Sequence, residues 1–171
     1  MRILVISDNH GDQAILNEVK AKNPDVDAIF HCGDSEGQVT DPFFEDTYFV
    51  RGNNDFNDGF PEEVLETIED QNIYMTHGDH YGVNMDLTRL ALRAKELRAN
   101  MVFFGHTHKL GVEWQDDCLF VNPGSISLPR GEYASIGGTF AIVTATKTMY
   151  EVDYFDRNSQ LISSLSTVIK R

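Results

Sequence analysis

The sequence predicts a mixed α/β layered fold on three observations: short apolar β-branched runs alternate with helical patterns, these runs end in Gly-bearing polar loops, and the last third reads as antiparallel strands. Arg2 to Ser7 form the first strand, and Asp12 to Lys22 then place Ile15, Leu16 and Val19 at helical spacing, with Asp12 as N-cap. Strands at Asp27 to His31 and Thr47 to Val50 continue the βαβ rhythm of a parallel sheet. Two strand-like stretches, Val64 to Ile68 and Asn72 to Thr76, precede a helix predicted from Met85 to Asn100, with Leu87, Leu90, Ala91, Ala94 and Leu97 on one face. A strand at Met101 to Phe104 comes next. The antiparallel strands are Gly111 to Trp114, Leu119 to Asn122, Gly138 to Ala145, Met149 to Phe155 and Gln160 to Ile169.

A chain of 171 residues can bury one substantial core but not two, so residues 1–171 are read as one domain. Apolar residues, 41% of the chain, are dispersed in short runs, whereas a membrane span needs roughly 20 in succession. A soluble protein with no membrane partner is expected. The N-terminal run ends at an acidic turn without a small-residue cleavage site, unlike a secretory leader. With only Cys32 and Cys118, two reduced thiols and a cytoplasmic location are expected. The formal net charge of −13 repels phosphates at long range and disfavours broad nucleic-acid binding. No Walker-type glycine loop occurs, which argues against a nucleotide-driven switch.

The loops carry the chemistry. Ser7-Asp8-Asn9-His10, Cys32-Gly33-Asp34, Gly52-Asn53-Asn54-Asp55 and Gly105-His106-Thr107-His108 each follow an apolar strand and each contain metal-ligand side chains. A fifth loop, Thr76-His77-Gly78-Asp79-His80, supplies another imidazole. Ligands of parallel sheets bind at the carboxyl ends of the strands, where loops distant in sequence converge. Mixed carboxylate, amide and imidazole donors suit Mn²⁺, Fe²⁺, Zn²⁺, Ni²⁺ or Co²⁺ better than Ca²⁺. Seven donors exceed one tetrahedral site but suit two ions about 3.5–4 Å apart sharing a carboxylate, with Asp34 as the bridging candidate.

These motifs, Asp8-x-His10, Gly33-Asp34, Gly52-Asn53-x-Asp55, His77-Gly78 and Gly105-His106-Thr107-His108, resemble the signature of the calcineurin-like metallophosphoesterases over nearly the whole chain. Small size, Asn122-Pro123-Gly124-Ser125 and Pro129-Arg130 are similar to the compact bacterial and archaeal phosphodiesterase subgroup that is related to the retromer subunit Vps29. The resemblance implies a four-layered α/β/β/α sandwich. It also implies one ion on Asp8, His10, Asp34 and His108, a second on Asp34, Asn53, His77 and His106, and a water or hydroxide bridging the two. Mn²⁺ is the foremost expectation for the metal. The implied activity is hydrolysis of a small phosphodiester; a catalytically weak, Vps29-like scaffold is the alternative, and a homo-oligomer is compatible with either.

Two positions depart from the wider family. Asn54 stands where a His commonly follows the metal-binding Asn, and an amide cannot donate a proton to a leaving group, a role whose loss commonly costs roughly 10²–10⁴-fold. Poor leaving groups should suffer most. Asp79 replaces the second His of a His-Gly-His motif, which leaves His77 and His80 as rival ligands, with His77 preferred because it directly follows the strand. Asp55 is expected to orient its neighbours, and Arg130 is the nearest candidate for a phosphate clamp, with a surface salt bridge as its competing role.

Each motif alone is ordinary turn chemistry, since Gly-Asp and Gly-Asn pairs and strand-end Asp or Asn residues commonly cap helices and turns. Joint occurrence decides otherwise: His10, His77, His106 and His108 account for four of the six histidines. His31 and Cys32 are read as packed residues, Cys118 as a thiol without function in a hairpin turn, and Phe43, Phe44 and Phe56 as core side chains.

Overall fold

Strand β1 (Arg2–Ile6) buries Ile3 to Ile6 completely, so both of its faces must be covered by other layers. In the computed structural model, which describes residues 1–56 and 59–171, β1 pairs in parallel with β2 (Ala28–His31) and antiparallel with β9 (Thr139–Ala145). The full order of this sheet is β11 (Thr167–Lys170), β10 (Met149–Asp156), β9, β1, β2 and β3 (Tyr48–Phe49). A second sheet runs β4 (Glu63–Ile68), β5 (Gln71–Thr76), β6 (Met101–Phe103), β8 (Cys118–Pro123) and β7 (Leu110–Gln115).

Alternation along the strands divides the apolar residues among three cores. Ile3 and Val5 of β1 face Met101 and Phe103 of β6 and Leu119 and Val121 of β8 between the sheets. The intervening Leu4 and Ile6 turn outward to Ile15, Leu16 and Val19 of helix α1 (Gln13–Lys22). On the far side, Val102 and Phe120 meet Leu90 and Ala94 of helix α2 (Thr88–Glu96). Three cores separate four layers, and the result is the α/β/β/α sandwich. Each fully buried Leu, Ile, Val, Phe or Met contributes roughly 1.5–3 kcal/mol, enough to fix the strand register.

Three expectations are corrected. The predicted helix at Met85 to Asn100 shrinks to Thr88–Glu96: the Asp86 carboxylate accepts the Thr88 N–H at 2.8 Å and starts the helix late, and Arg98 turns left-handed at φ 53 just beyond its end. The last predicted strand, Gln160 to Ile169, is regular only at Thr167–Lys170, because Ser163–Leu165 form a 3₁₀ turn. Phe43 and Phe44 are buried as expected, in a 3₁₀ turn, Pro42–Asp46. Phe56 is not a core residue; it is 91% exposed.

Strands β1, β2 and β3 run parallel, as do β5, β6 and β8. The loops after these strands carry the ligand-type residues. No helix among the described residues is long and apolar enough to cross a membrane.

Candidate metal centre

The loops after β1 and β2 run side by side, joined by backbone hydrogen bonds from Asp8 N–H to Gly33 O, His10 N–H to Asp34 O and Gly11 N–H to Ser35 O, all at 3.0–3.1 Å. Further ties run from Gly105 N–H to His77 O, from Ile126 N–H to Ser7 O, and from Ser125 Oγ to Asp8 O. Gly52 and Gly105 are required by close approach. A Cβ at Gly52 would collide with Asp34, and one at Gly105 with Ser7 and Asp8.

Asp8, His10, Asp34 and His108 bring one ligand atom each to within 4.8 Å of one another. His108 Nε2 lies 3.2 Å from both Asp8 Oδ1 and His10 Nε2, and His10 Nε2 lies 3.9 Å from Asp34 Oδ2. On the other side of Asp34, His77 Nε2 is 3.5 Å from Asp34 Oδ2 and 3.2 Å from Asn53 Oδ1. The ring of His106 stands edge-on to His77 with centroids 5.1 Å apart. The structure thus gathers four of the seven sequence-predicted donors in one group, sets His77 and Asn53 on the other side of Asp34, and places the His106 ring beside His77. His80 stays outside, two-thirds exposed and beside Glu62 and Asp79.

The opposite ring nitrogens explain the orientation. His77 Nδ1 is 2.7 Å from Cys32 O and His108 Nδ1 is 2.7 Å from Leu128 O. A carbonyl oxygen only accepts, so each Nδ1 carries the hydrogen and, in the neutral ring, each Nε2 presents a lone pair to the cluster. His10 Nδ1 is likewise engaged, at 2.8 Å from Glu36 Oε1. Lone pairs facing carboxylates at these distances repel unless a cation or proton lies between them. Among the described residues the buried Asp8 Oδ1 has no hydrogen-bond partner, an orphaned acceptor that faces His108 Nε2 at 3.2 Å.

The backbone is strained where these side chains converge. Asp8, His10, Asp34, His106 and His108 all have φ between 45 and 66. Left-handed backbone at a non-glycine residue costs roughly 1–2 kcal/mol, and its concentration at five ligand-type residues marks a functional cluster.

Electrostatics follow burial and charge. Burial opposes charging of His77, yet the hydrogen bond to Asp34 and the charges of Asp8 and Asp34 outweigh it and push the imidazole up to about 9. Burial likewise opposes ionisation of Asp34, but His77 and the two Asn54 donors hold its carboxyl well below the usual carboxylate range. His108 is raised by its Asp8 contact despite burial, while burial and the His77 charge lower His106. His31 is lowered to about 4 by burial; it bonds Asn9 Oδ1 at 2.9 Å and accepts the Gly33 N–H, so it props the two loops from beneath. Cys32 and Cys118 are buried, and burial pushes Cys118 up to about 12.

Asp55 turns away from the cluster. Its buried carboxylate accepts from Asp34 N–H, Ser35 Oγ, Glu36 N–H and Gly52 N–H at 2.7–3.1 Å, locking the β2 and β3 loops together. Asn54 donates to both oxygens of Asp34. Arg130 is exposed, its N–H donates to His108 O, and its charge is felt at His108. Sequence reasoning missed Glu36 and the Leu128 carbonyl, whereas Ser125 lies in the Asn122-Pro123-Gly124-Ser125 motif. Of the two missed groups, Glu36 carried a sequence signal, as a carboxylate two residues after Asp34.

Residues 1–148 match a model of the calcineurin-like phosphoesterase superfamily domain. The chain is 37% identical to the probable metallophosphoesterase YsnB of Bacillus subtilis over 166 residues, 96% of each protein. It is 30% identical over 147 residues to a phosphodiesterase of Methanocaldococcus jannaschii, covering 72% of this chain and 83% of that one. Its structure superposes with a TM-score of 0.95 on a Streptococcus pneumoniae protein described as a predicted phosphoesterase, at 35% identity over 99% of this chain and 97% of the other. With its motifs converged on one cluster of metal-ligand donors, the chain belongs to the calcineurin-like phosphoesterase superfamily, a family of metal-dependent hydrolases.

Proposed function

We propose that the protein is a phosphodiesterase that uses two divalent transition-metal ions, Mn²⁺ foremost, to hydrolyse small phosphodiesters. The observation that carries this reading is the orphaned Asp8 Oδ1 facing His108 Nε2, with Asp34 set between two groups of donors. Such a set fits borderline divalent cations. Asp8, His10, Asp34 and His108 would hold one ion, and Asp34, Asn53, His77 and His106 the other.

When bound, the ions supply Lewis acidity toward the phosphoryl oxygens and lower the pKa of a nucleophilic water. The chain's own residues supply the rest. Cys32 O and Leu128 O hold His77 and His108 in the tautomer that presents Nε2. Asn54 and Asp55 fix Asp34 and its loop. The Arg130 guanidinium offers a bidentate donor for the two non-bridging phosphate oxygens. No imidazole follows Asn53, so no side chain there protonates a departing alkoxide, which favours activated diesters over monoesters. A relative that carries the name phosphodiesterase supports the same choice. Beside Thr107, a cavity of about 240 Å³ walled by Val83, Leu87, Phe104, Val112 and Phe120 offers room for an organic arm of the substrate.

The deciding experiment is hydrolysis of a bis-aryl phosphodiester and the matching monoester by metal-stripped protein titrated with Mn²⁺, Ni²⁺, Zn²⁺ and Mg²⁺. Metal-restored turnover that favours the diester is expected. Metal uptake without turnover of either ester would replace this reading with a metal-binding scaffold.

A further inference from the structure

Glu36 lies outside every ligand motif of the chain, yet its Oε1 sits 2.8 Å from His10 Nδ1. The backbone around this contact is tightly specified. Glu36 has a left-handed φ of 53, and its N–H donates to Asp55 Oδ1 at 2.7 Å. The same Asp55 carboxylate accepts the Asp34 N–H and the Ser35 hydroxyl. His10 N–H in turn donates to Asp34 O at 3.1 Å. One hydrogen-bonded turn therefore places Asp34 at the Nε2 edge of His10 and Glu36 at the Nδ1 edge.

This arrangement sets His10 apart from the other two oriented imidazoles. His77 and His108 lean on the neutral carbonyls of Cys32 and Leu128. His10 leans on a full negative charge. A carboxylate accepting Nδ1–H fixes the tautomer and makes Nε2 a stronger donor to a cation than a carbonyl does. Glu36 is not itself a ligand, because its oxygen is engaged at the edge of the ring that faces away from the cluster.

We infer that Glu36 is a positioning residue that acts through His10 to tighten the ion held by Asp8, His10, Asp34 and His108, and leaves the ion on the His77 side of Asp34 unaffected. The inference rests on the two-ion reading given above. Asymmetric strength at two neighbouring positions lets the first ion be retained when the second is lost. Because the Glu36 side chain is 42% exposed, replacing it opens no buried cavity.

The test is calorimetric titration of the metal-stripped full chain with Mn²⁺, comparing wild type, Glu36→Gln and Glu36→Ala, with thermal melts of the metal-free proteins alongside. In Glu36→Ala, one of the two binding events should weaken by about 10–100-fold, while the other stays within about twofold of wild type. Glu36→Gln, which keeps an acceptor but not the charge, should fall between the two. Unchanged affinities in both variants, or both events weakened by the same factor, would overturn the role of Glu36 and leave the two-ion reading standing. A wild type that takes up fewer than two ions would defeat that reading, and this inference with it.

Discussion

Asn54 grips both carboxylate oxygens of Asp34: its backbone N–H donates to Oδ1 at 2.8 Å and its side-chain Nδ2 to Oδ2 at 2.7 Å. Asp34 is the carboxylate shared by both proposed ions, so the residue that departs from the wider family pattern is also a clamp on the centre of the site. Restoring the missing imidazole would therefore trade the side-chain half of that clamp for a general acid. Asn54→His is expected to weaken Mn²⁺ binding and lower diester turnover by roughly 10–100-fold, without raising monoester hydrolysis. Steady-state kinetics on the paired aryl esters decide the matter, and a tenfold rise in monoester kcat/KM would show that acid catalysis alone was lacking.

His77 and His80 make opposite predictions. His77 is buried with Nε2 toward Asp34 and Asn53, whereas His80 is exposed beside Glu62 and Asp79. His77→Ala should abolish binding of one ion and reduce diester hydrolysis by at least about 10²-fold, the scale expected on losing a catalytic metal's ligand. His80→Ala should leave both within about twofold. Equal losses in the two variants would contradict this assignment.

Strand alternation and the loop motifs made the layers and the cluster legible in the sequence. Ile3/Val5 against Leu4/Ile6 is a period-two pattern that specifies two opposite faces, and Asp8, Asp34 and His106 each follow a buried strand closely. The boundaries of α2 were not legible, since Leu87 and Leu97 fit the helical periodicity while the Asp86 carboxylate on the Thr88 N–H and the left-handed Arg98 override it. The supporting bonds were hidden for a different reason. Leu128 O and Cys32 O act as backbone groups, which residue identity does not encode, and Glu36 meets His10 only because two loops 26 residues apart run in register.

Asp55 should matter for stability as well as for activity. Its carboxylate satisfies four donors, three of them backbone N–H groups, inside a buried turn. An unsatisfied buried donor costs about 1–3 kcal/mol, so Asp55→Ala should destabilise the metal-free protein by about 3 kcal/mol or more in urea unfolding. A loss below about 1 kcal/mol would mean that water replaces the carboxylate in the turn.

Arg130 should act on substrate and not on metal. It is exposed, its charge reaches His108, and a guanidinium has no lone pair to offer a metal ion. Arg130→Ala should raise KM for the diester by roughly 5–30-fold, the range of one charge-assisted hydrogen bond partly screened by solvent. Mn²⁺ affinity measured by calorimetry should be unchanged; a parallel loss of metal would reassign Arg130 to support of His108.

The pH dependence of the centre has a sign that separates proton from metal. In the metal-free protein His77 is raised from 6.5 to about 9, so the stability it contributes as an imidazolium is fully present below about 6.5 and is lost as pH climbs through 9. Asp34 is depressed, and its contribution is lost only in strong acid. A metal ion needs the neutral imidazole and must expel that proton. Apparent Mn²⁺ affinity should therefore rise about tenfold per pH unit between 6.5 and 9 and level off above, over the same window in which the metal-free protein loses stability. Calorimetry at pH 7.5 in two buffers of different ionisation enthalpy would detect the released proton. Affinity that stays flat from pH 7 to 9 would mean that His77 already presents an unprotonated Nε2, and that the charge of Asp34 is balanced by Asn54 alone.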